Sequence, residues 1–317
     1  MKKMHIRSTH AAWIAAAMIA SFSPQLFAAG STWNTNDGTW STSPDDAGNW
    51  DPATPVDSLG VTGDANFAIT TNSPDAEVDV DVTGTVYARL LKVGPGKTVT
   101  LNLADGASIT NTLFTGNRTW SIYVEGATLG TGSGSAHLTI AGPATGTASV
   151  ALSNFTIGAS PSPTPVGGNP LTLSGAGLSV TADGATTVVG RYSNDNMITV
   201  SSKAAATLYG LWLSNTDGKN GNQVVVDDAT LTINGTGSNN GLIIGTSGGA
   251  TDYDHSLHHN SVTVKNGGTL TLSAGSTAIG GVVNAHLNSI QVTSGTFLNT
   301  SGAGTTIGNS AGTNLGG

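Results

Sequence analysis

The sequence predicts an all-β protein, a right-handed parallel β-helix with an N-terminal cap. Three observations predict it. A five-residue string, Asn, any residue, aliphatic, any residue, aliphatic, recurs along the chain. Each copy leads into further short β-branched pieces in a fixed order that ends on glycine. The composition is 9% charged, with 44 glycines in 317 residues and no cysteine. Amphipathic helices need Ala, Leu, Glu and Lys on a regular period, which this composition does not suit. A disordered chain would be charge-rich and poor in Val, Ile and Leu.

Residues 1–29 read as a signal peptide. Lys2, Lys3 and Arg7 give a positive start, and the apolar run from Ala11 to Phe22 is too short for a bilayer but fits a secretory core. Pro24 breaks that helix, and cleavage is expected after Ala28 or Ala29, although Leu26 or Phe27 is an imperfect third residue before the cut. The mature protein is therefore expected outside the cell or on its surface, without a membrane-spanning segment. Removing this leader takes three cations and no acid, so the formal net charge falls from −8 to −11. Nucleic acid is excluded as a partner, because a phosphate backbone is bound by clustered Lys and Arg. The missing cysteines exclude disulfides, thiol nucleophiles and thiolate zinc sites.

Residues 30–81 read as the cap. The part from Gly30 to Phe67 lacks the repeat and concentrates Trp33, Trp40 and Trp50. An open solenoid end exposes unpaired strand edges, so an atypical terminal unit is expected there.

Residues 82–317 carry the repeats. Val86 to Val93 and Thr98 to Leu103 are strands of early, less regular coils. The regular copies start at Ala136, Asn169, Asn196, Asn222, Asn260 and Asn288, between 26 and 38 residues apart. After N-S-V-T-V at Asn260 come G-G-T-L-T-L and T-A-I-G; after N-Q-V-V-V at Asn222 come A-T-L-T-I and L-I-I-G. The closing glycines are Gly158, Gly190, Gly245, Gly280 and Gly308, while the Asn196 copy departs through L-Y-G-L-W-L. Three strands per unit with Gly, Asn and Ser corners describe one coil of a triangular β-helix. Alternation turns Val262 and Val264 inward and Ser261 and Thr263 outward. Asn at one corner of successive coils can exchange side-chain amide bonds along the axis. Coils stacked at the strand spacing of about 4.8 Å would give six units a length of about 30 Å. An antiparallel sandwich would not repeat one three-strand sentence.

The strings T-W-N-T-N-D-G-T-W-S-T (Thr32 to Thr42), A-G-N-W-D (Ala47 to Asp51) and G-D-A-N-F (Gly63 to Phe67) resemble the start of exported bacterial proteins with autotransporter-associated β-strand repeats. Many of those carry a PEP-CTERM-type sorting tail. The resemblance extends through the N-x-V-x-V and T-L-T-L strings, and it implies a passenger-like β-helix on the cell surface, at the outer membrane or in the matrix, in an adhesin-like role. One departure is that Gly312 to Gly317 follow a repeat directly, with no capping unit, barrel or sorting helix, so either a fragment or an absent anchor is expected.

Chemistry-bearing clusters are few. The loop from Asp252 to His259 crowds Asp252, Asp254, His255, His258 and His259 into eight residues, the best metal candidate by composition, though zinc needs convergent tetrahedral ligands that a solvent loop does not guarantee. Asp75, Glu77, Asp79 and Asp81 lie on one face of a strand, as a solvated row or one partly neutralised by Ca²⁺. No cofactor is otherwise expected. Trp40, Trp50, Tyr192 and Trp212 are candidates for stacking on sugar rings, against a reading in which they fill the cap and interior. G-T-S-G-G at Gly245 and G-P-G-K-T at Gly94 are chance matches to nucleophile-elbow and P-loop strings.

A catalytic residue is not expected. The nearest pair is Asp227 and Asp228, just past a core strand. The expected role is structural or adhesive display, with polysaccharide or neighbouring surface proteins as partners. Two alternatives stand beside it: a polysaccharide lyase or hydrolase built on the same fold, and a carbohydrate-binding module.

Overall fold

The computed structural model describes residues 31–33, 37–40, 50–51, 66–69, 77–87, 90–110, 121–124, 126–129, 132–158, 165–214, 220–236, 241–245, 259–280 and 287–307. These residues are all β, with no helix among them. The signal-peptide segment lies outside the described residues.

Two large sheets hold nearly all the strands, and their pairings are parallel apart from one. The smaller of the two has nine strands, beginning at Asp37–Trp40 and Glu77–Val82 and ending at Ser289–Thr293. Here Thr98–Leu103 precedes His137–Ala141, and the strands headed by the repeated asparagines follow in sequence order. Each strand pairs with its counterparts in the preceding and following repeats, residue for residue. One inward file thus runs from Leu171 to Ile198, Val224, Val262 and Ile290. Parallel neighbours cannot be joined by a tight hairpin, so the chain must travel before returning to this sheet.

It travels through the second sheet. That sheet, of 17 strands, is made of two parallel ladders. One collects the middle piece of each repeat, such as Ala148–Leu152, Thr230–Ile233 and Thr269–Leu272; the other collects the last piece, such as Asn154–Ile157, Leu242–Ile244 and Thr277–Ile279. The ladders merge because Leu178–Val189 and Ala205–Leu213 run through both, with a register shift between Ala182 and Thr186. At the N-terminal end Ser31–Trp33 pairs in parallel with Asn66–Ile69 and antiparallel with Trp50–Asp51, which sets Trp33 opposite Trp50. A small antiparallel sheet of Gly126–Leu129, Gly132–Gly134 and Pro165–Val166 is an insertion.

The strands form where β-branched and Leu residues alternate with Ser and Thr, and the alternation sets burial. In Ser261–Lys265 the valines are buried and the residues between them half-buried, as the pattern requires. The inward residues make one continuous hydrophobic core from Trp40 to Ile279. Each buried Val, Leu or Ile contributes about 1.5–3 kcal/mol.

A buried asparagine ladder runs along the core edge. Oδ1 of Asn196 accepts from Nδ2 of Asn169 at 2.6 Å, and Oδ1 of Asn222 accepts from Nδ2 of Asn196 at 2.8 Å. Asn260 and Asn288 continue the chain, each Oδ1 accepting from the amide before it at 3.3 and 3.0 Å. The same oxygens accept the backbone N–H of the preceding Asn, and the ladder begins with Ala136 N–H donating to Asn169 at 2.8 Å. From Asn196 onward every rung therefore satisfies a buried backbone donor as well as a side chain.

The closing glycines Gly158, Gly190 and Gly245 clear this ladder. Gly190 has φ of 79°, and a Cβ there would lie 2.3 Å from Cγ of Asn222, two repeats on. Gly158 and Gly245 meet Asn196 and Asn288 in the same way. The end of one repeat leads into the next asparagine, so it abuts the rung beyond that. In the departing Asn196 copy the place is taken by Ser214, also at positive φ (66°), whose hydroxyl donates to Asn260 at 2.7 Å and accepts from Asn222 at 3.0 Å.

Candidate functional site

The described candidate residues do not gather into one site. Asp252, Asp254, His255 and His258 lie outside the described residues, and His259 is exposed at φ of 58°. Asp75 also lies outside them. Glu77, Asp79 and Asp81 point outward from Glu77–Val82 and are exposed, while Val78, Val80 and Val82 fill the core. Asp79 stands in register with Asp37, and Asp81 accepts a hydrogen bond from Asn102 Nδ2 at 3.3 Å. Among the described residues no three His, Asp or Glu side chains converge as metal ligands.

The aromatic candidates stand on separate elements. Trp40 is 4% exposed and belongs to the core. Trp50 is placed by its backbone in the short strand opposite Trp33. Tyr192 is half-buried in the turn after Val189, with the Arg191 guanidinium carbon 5.3 Å from its ring centroid, a cation–π contact. Trp212 is half-buried, in register between Val188 and Ile243, each 8% exposed.

Asp227 and Asp228 occupy a strand end and the corner after it. Asp227 ends its strand pointing outward, where Oδ1 accepts from Asn266 Nδ2 at 2.7 Å and Oδ2 lies 3.3 Å from the Lys265 ammonium. The Asn266 hydrogen bond, opposed by desolvation and aided by Lys265, holds its carboxyl below the ordinary aspartate range. Asp228 occupies the following corner at φ of 48°. A carboxylate kept ionised by partners on its own strand face is a poor general acid near neutral pH.

What the fold does assemble is a surface that the sequence reading did not single out. In the middle-piece ladder the outward residues form two files. The first runs Ser149, Ser179, Ala205, Thr230, Thr269 and Thr296; the second includes Thr181, Thr207, Thr232 and Thr271. The inward residues between them, among them Val180, Leu231 and Leu270, are core. No acidic, basic or aromatic residue stands in either file from Ser149 to Thr296. The nine-stranded sheet differs, carrying Glu77, Asp79, Asp81, Asp227 and Lys265 outward. The signal was visible as Thr-x-Thr in T-L-T-I and T-L-T-L, strings that also satisfy ordinary strand alternation and so marked only strands.

No helix among the described residues is long and apolar enough to cross a membrane. Comparison of the chain with protein-family models, curated proteins and solved structures finds no match.

Proposed function

We propose that this chain is an exported, non-catalytic surface or matrix protein whose mature part is a right-handed parallel β-helix, capped by residues 30–81, that displays an extended face to its surroundings. The observation that carries this reading is the uninterrupted, in-register parallel pairing of counterpart strands from repeat to repeat, pinned by the buried asparagine ladder. Such a ladder spends its polar groups on holding a rigid rod and leaves the outward residues to contact. The right hand is the sense that parallel strand connections adopt in nearly all known sheets. The positive start, apolar run and small residues ahead of Gly30 support export. The resemblance of the Thr32 to Phe67 strings to exported repeat proteins supports display at the cell surface or outer membrane, in an adhesin-like role with polysaccharide or neighbouring surface proteins as partners.

Fractionation of producing cells, with intact-mass analysis of the exported species, tests this. The expected result is an extracellular or surface-bound protein that starts at Ala29 or Gly30. A cell-internal protein retaining Met1 to Ala28 would overturn the export argument. Release of reducing ends or unsaturated products from pectin, alginate or xylan, lost in Asp227→Ala, would overturn the non-catalytic reading.

A further inference from the structure

The middle-piece ladder brings a two-file array of hydroxyls and methyls to the surface, and we propose that this face binds ice, the ordered surface lattice of crystalline water. The inference rests on the ladder geometry and is independent of export and of any adhesive role.

Three properties of the face point to that ligand. The first is its lattice. The files run in register across consecutive strands, from Ser179 to Thr269 without interruption, and the register shift near Ala182 falls beyond them. Neighbouring strands lie about 4.8 Å apart, and residues two apart on a strand about 6.6 Å. This is a rectangular net with repeats close to the oxygen–oxygen repeats on the prism faces of hexagonal ice. Side-chain ladders are among the devices that keep many-stranded sheets from twisting out of such a net, and the asparagine ladder is one. The second is chemistry. Thr presents one hydroxyl to hydrogen-bond into the lattice and one methyl to exclude mobile water beside it. The hydroxyls of Thr181, Thr207, Thr232 and Thr271 have no hydrogen-bond partner among the described residues. The third is what the face lacks. Its charge-free files offer nothing to a phosphate or an acidic polymer. The files themselves carry no aromatic ring as a platform for a pyranose; Tyr209 and Asp183, two residues beyond Thr207 and Thr181, border the second file, and the Tyr209 hydroxyl donates to Thr236 O at 3.4 Å. The buried centre of a protein interface is enriched in aromatic residues, Met and Arg, none of which stands in these rows of Ser and Thr.

The decisive measurement is ice-growth inhibition by the purified full chain, read as thermal hysteresis and as arrest of recrystallisation in a frozen film. Thr232→Lys places a charged chain in the centre of the second file and is expected to abolish both effects. Thr263→Lys, on the outward face of the nine-stranded sheet, is expected to leave them unchanged. Circular dichroism and melting curves establish that each variant is folded. Should Thr232→Lys unfold, Ala205→Lys carries the test, since Ala205 is exposed and its longer chain extends into solvent. Wild-type protein that leaves ice growth unaltered overturns the proposal. So does equal loss in the two lysine variants, and so does adsorption to crystalline cellulose or chitin with no adsorption to ice.

Discussion

Asn222 is the residue where the most depends on one side chain. Its Oδ1 accepts both the backbone N–H of Asn196 at 3.0 Å and the Asn196 amide at 2.8 Å, while its own amide donates to Ser214 and Asn260. Asn222→Ala leaves two buried donors without an acceptor, so a loss of about 1–3 kcal/mol in denaturant unfolding is expected; an unchanged midpoint would mean the ladder is decorative. Two glycines separate the contribution of that ladder from backbone strain. Gly190 and Gly106 have nearly equal φ, 79° and 76°, but an added Cβ meets Asn222 at the first and nothing within 4 Å at the second. Both alanine variants carry the left-handed penalty of about 1–2 kcal/mol, and Gly190→Ala is expected to lose clearly more. At Asp227 the folded carboxyl titrates below its unfolded value, so its contribution is present above the unfolded pKa and fades as pH falls through the folded one. Asn266→Ala and Lys265→Met are each expected to raise that pKa in an NMR titration, and no rise in Asn266→Ala would take the leading role from the hydrogen bond.

At the scale of strands, alternation is the rule that the whole fold obeys, and a neighbouring pair of residues tests it. Val264 is fully buried and Thr263 half-exposed in the same strand. Val264→Asp buries an unpaired charge and is expected to unfold the protein or lower its melting point far more than Thr263→Asp. Equal losses would refute the inward and outward assignment. This much was legible in the sequence because period-two alternation and the Asn-headed string are local signals. The asparagine ladder was legible too, since one residue type at one corner has few other uses. Less visible was the fusion of pieces into Leu178–Val189 and Ala205–Leu213. L-Y-G-L-W-L has no strong turn former apart from Gly210, so the strand continues through what is a corner elsewhere, and the closing position moves to Ser214. Ser214 could not be matched by counting from Asn196, because its role is defined by contact with Asn260, two repeats away. The uncharged face was hidden for a similar reason: its files exist only once strands about 25 to 40 residues apart are set side by side.

Across the whole molecule, each repeat contacts only the repeats one or two steps along the stack, so stability is close to a sum of local terms and short-range interfaces. The two ends of the described core differ. Near the N-terminal end Trp40 is 4% exposed, whereas in the last described repeat the inward Val292 is 46% and Ile307 78% exposed. Ser289–Thr293 follows the inward and outward order of Ser261–Lys265 and pairs with it in register. Its core side chains nevertheless have packed neighbours on one side only among the described residues, with Ile290 and Phe297 partly buried against the cluster. Its hydrogen bonds are therefore protected by less apolar contact than those of Gln223–Asp227, where Val224 and Val226 are fully buried between two parallel neighbours. Local opening follows buried contact. In hydrogen–deuterium exchange the amides of 289–299 are expected to exchange first, those of 261–272 later, and those of 198–233 last, with a stepwise rather than single-phase loss of protection. Simultaneous exchange of all three segments would mean that the stack unfolds as one cooperative block. Val292→Lys sharpens the test: it adds a charge where the file is already open, so it should leave the protection of 198–233 intact, whereas Val226→Lys should collapse protection in every repeat that packs on it.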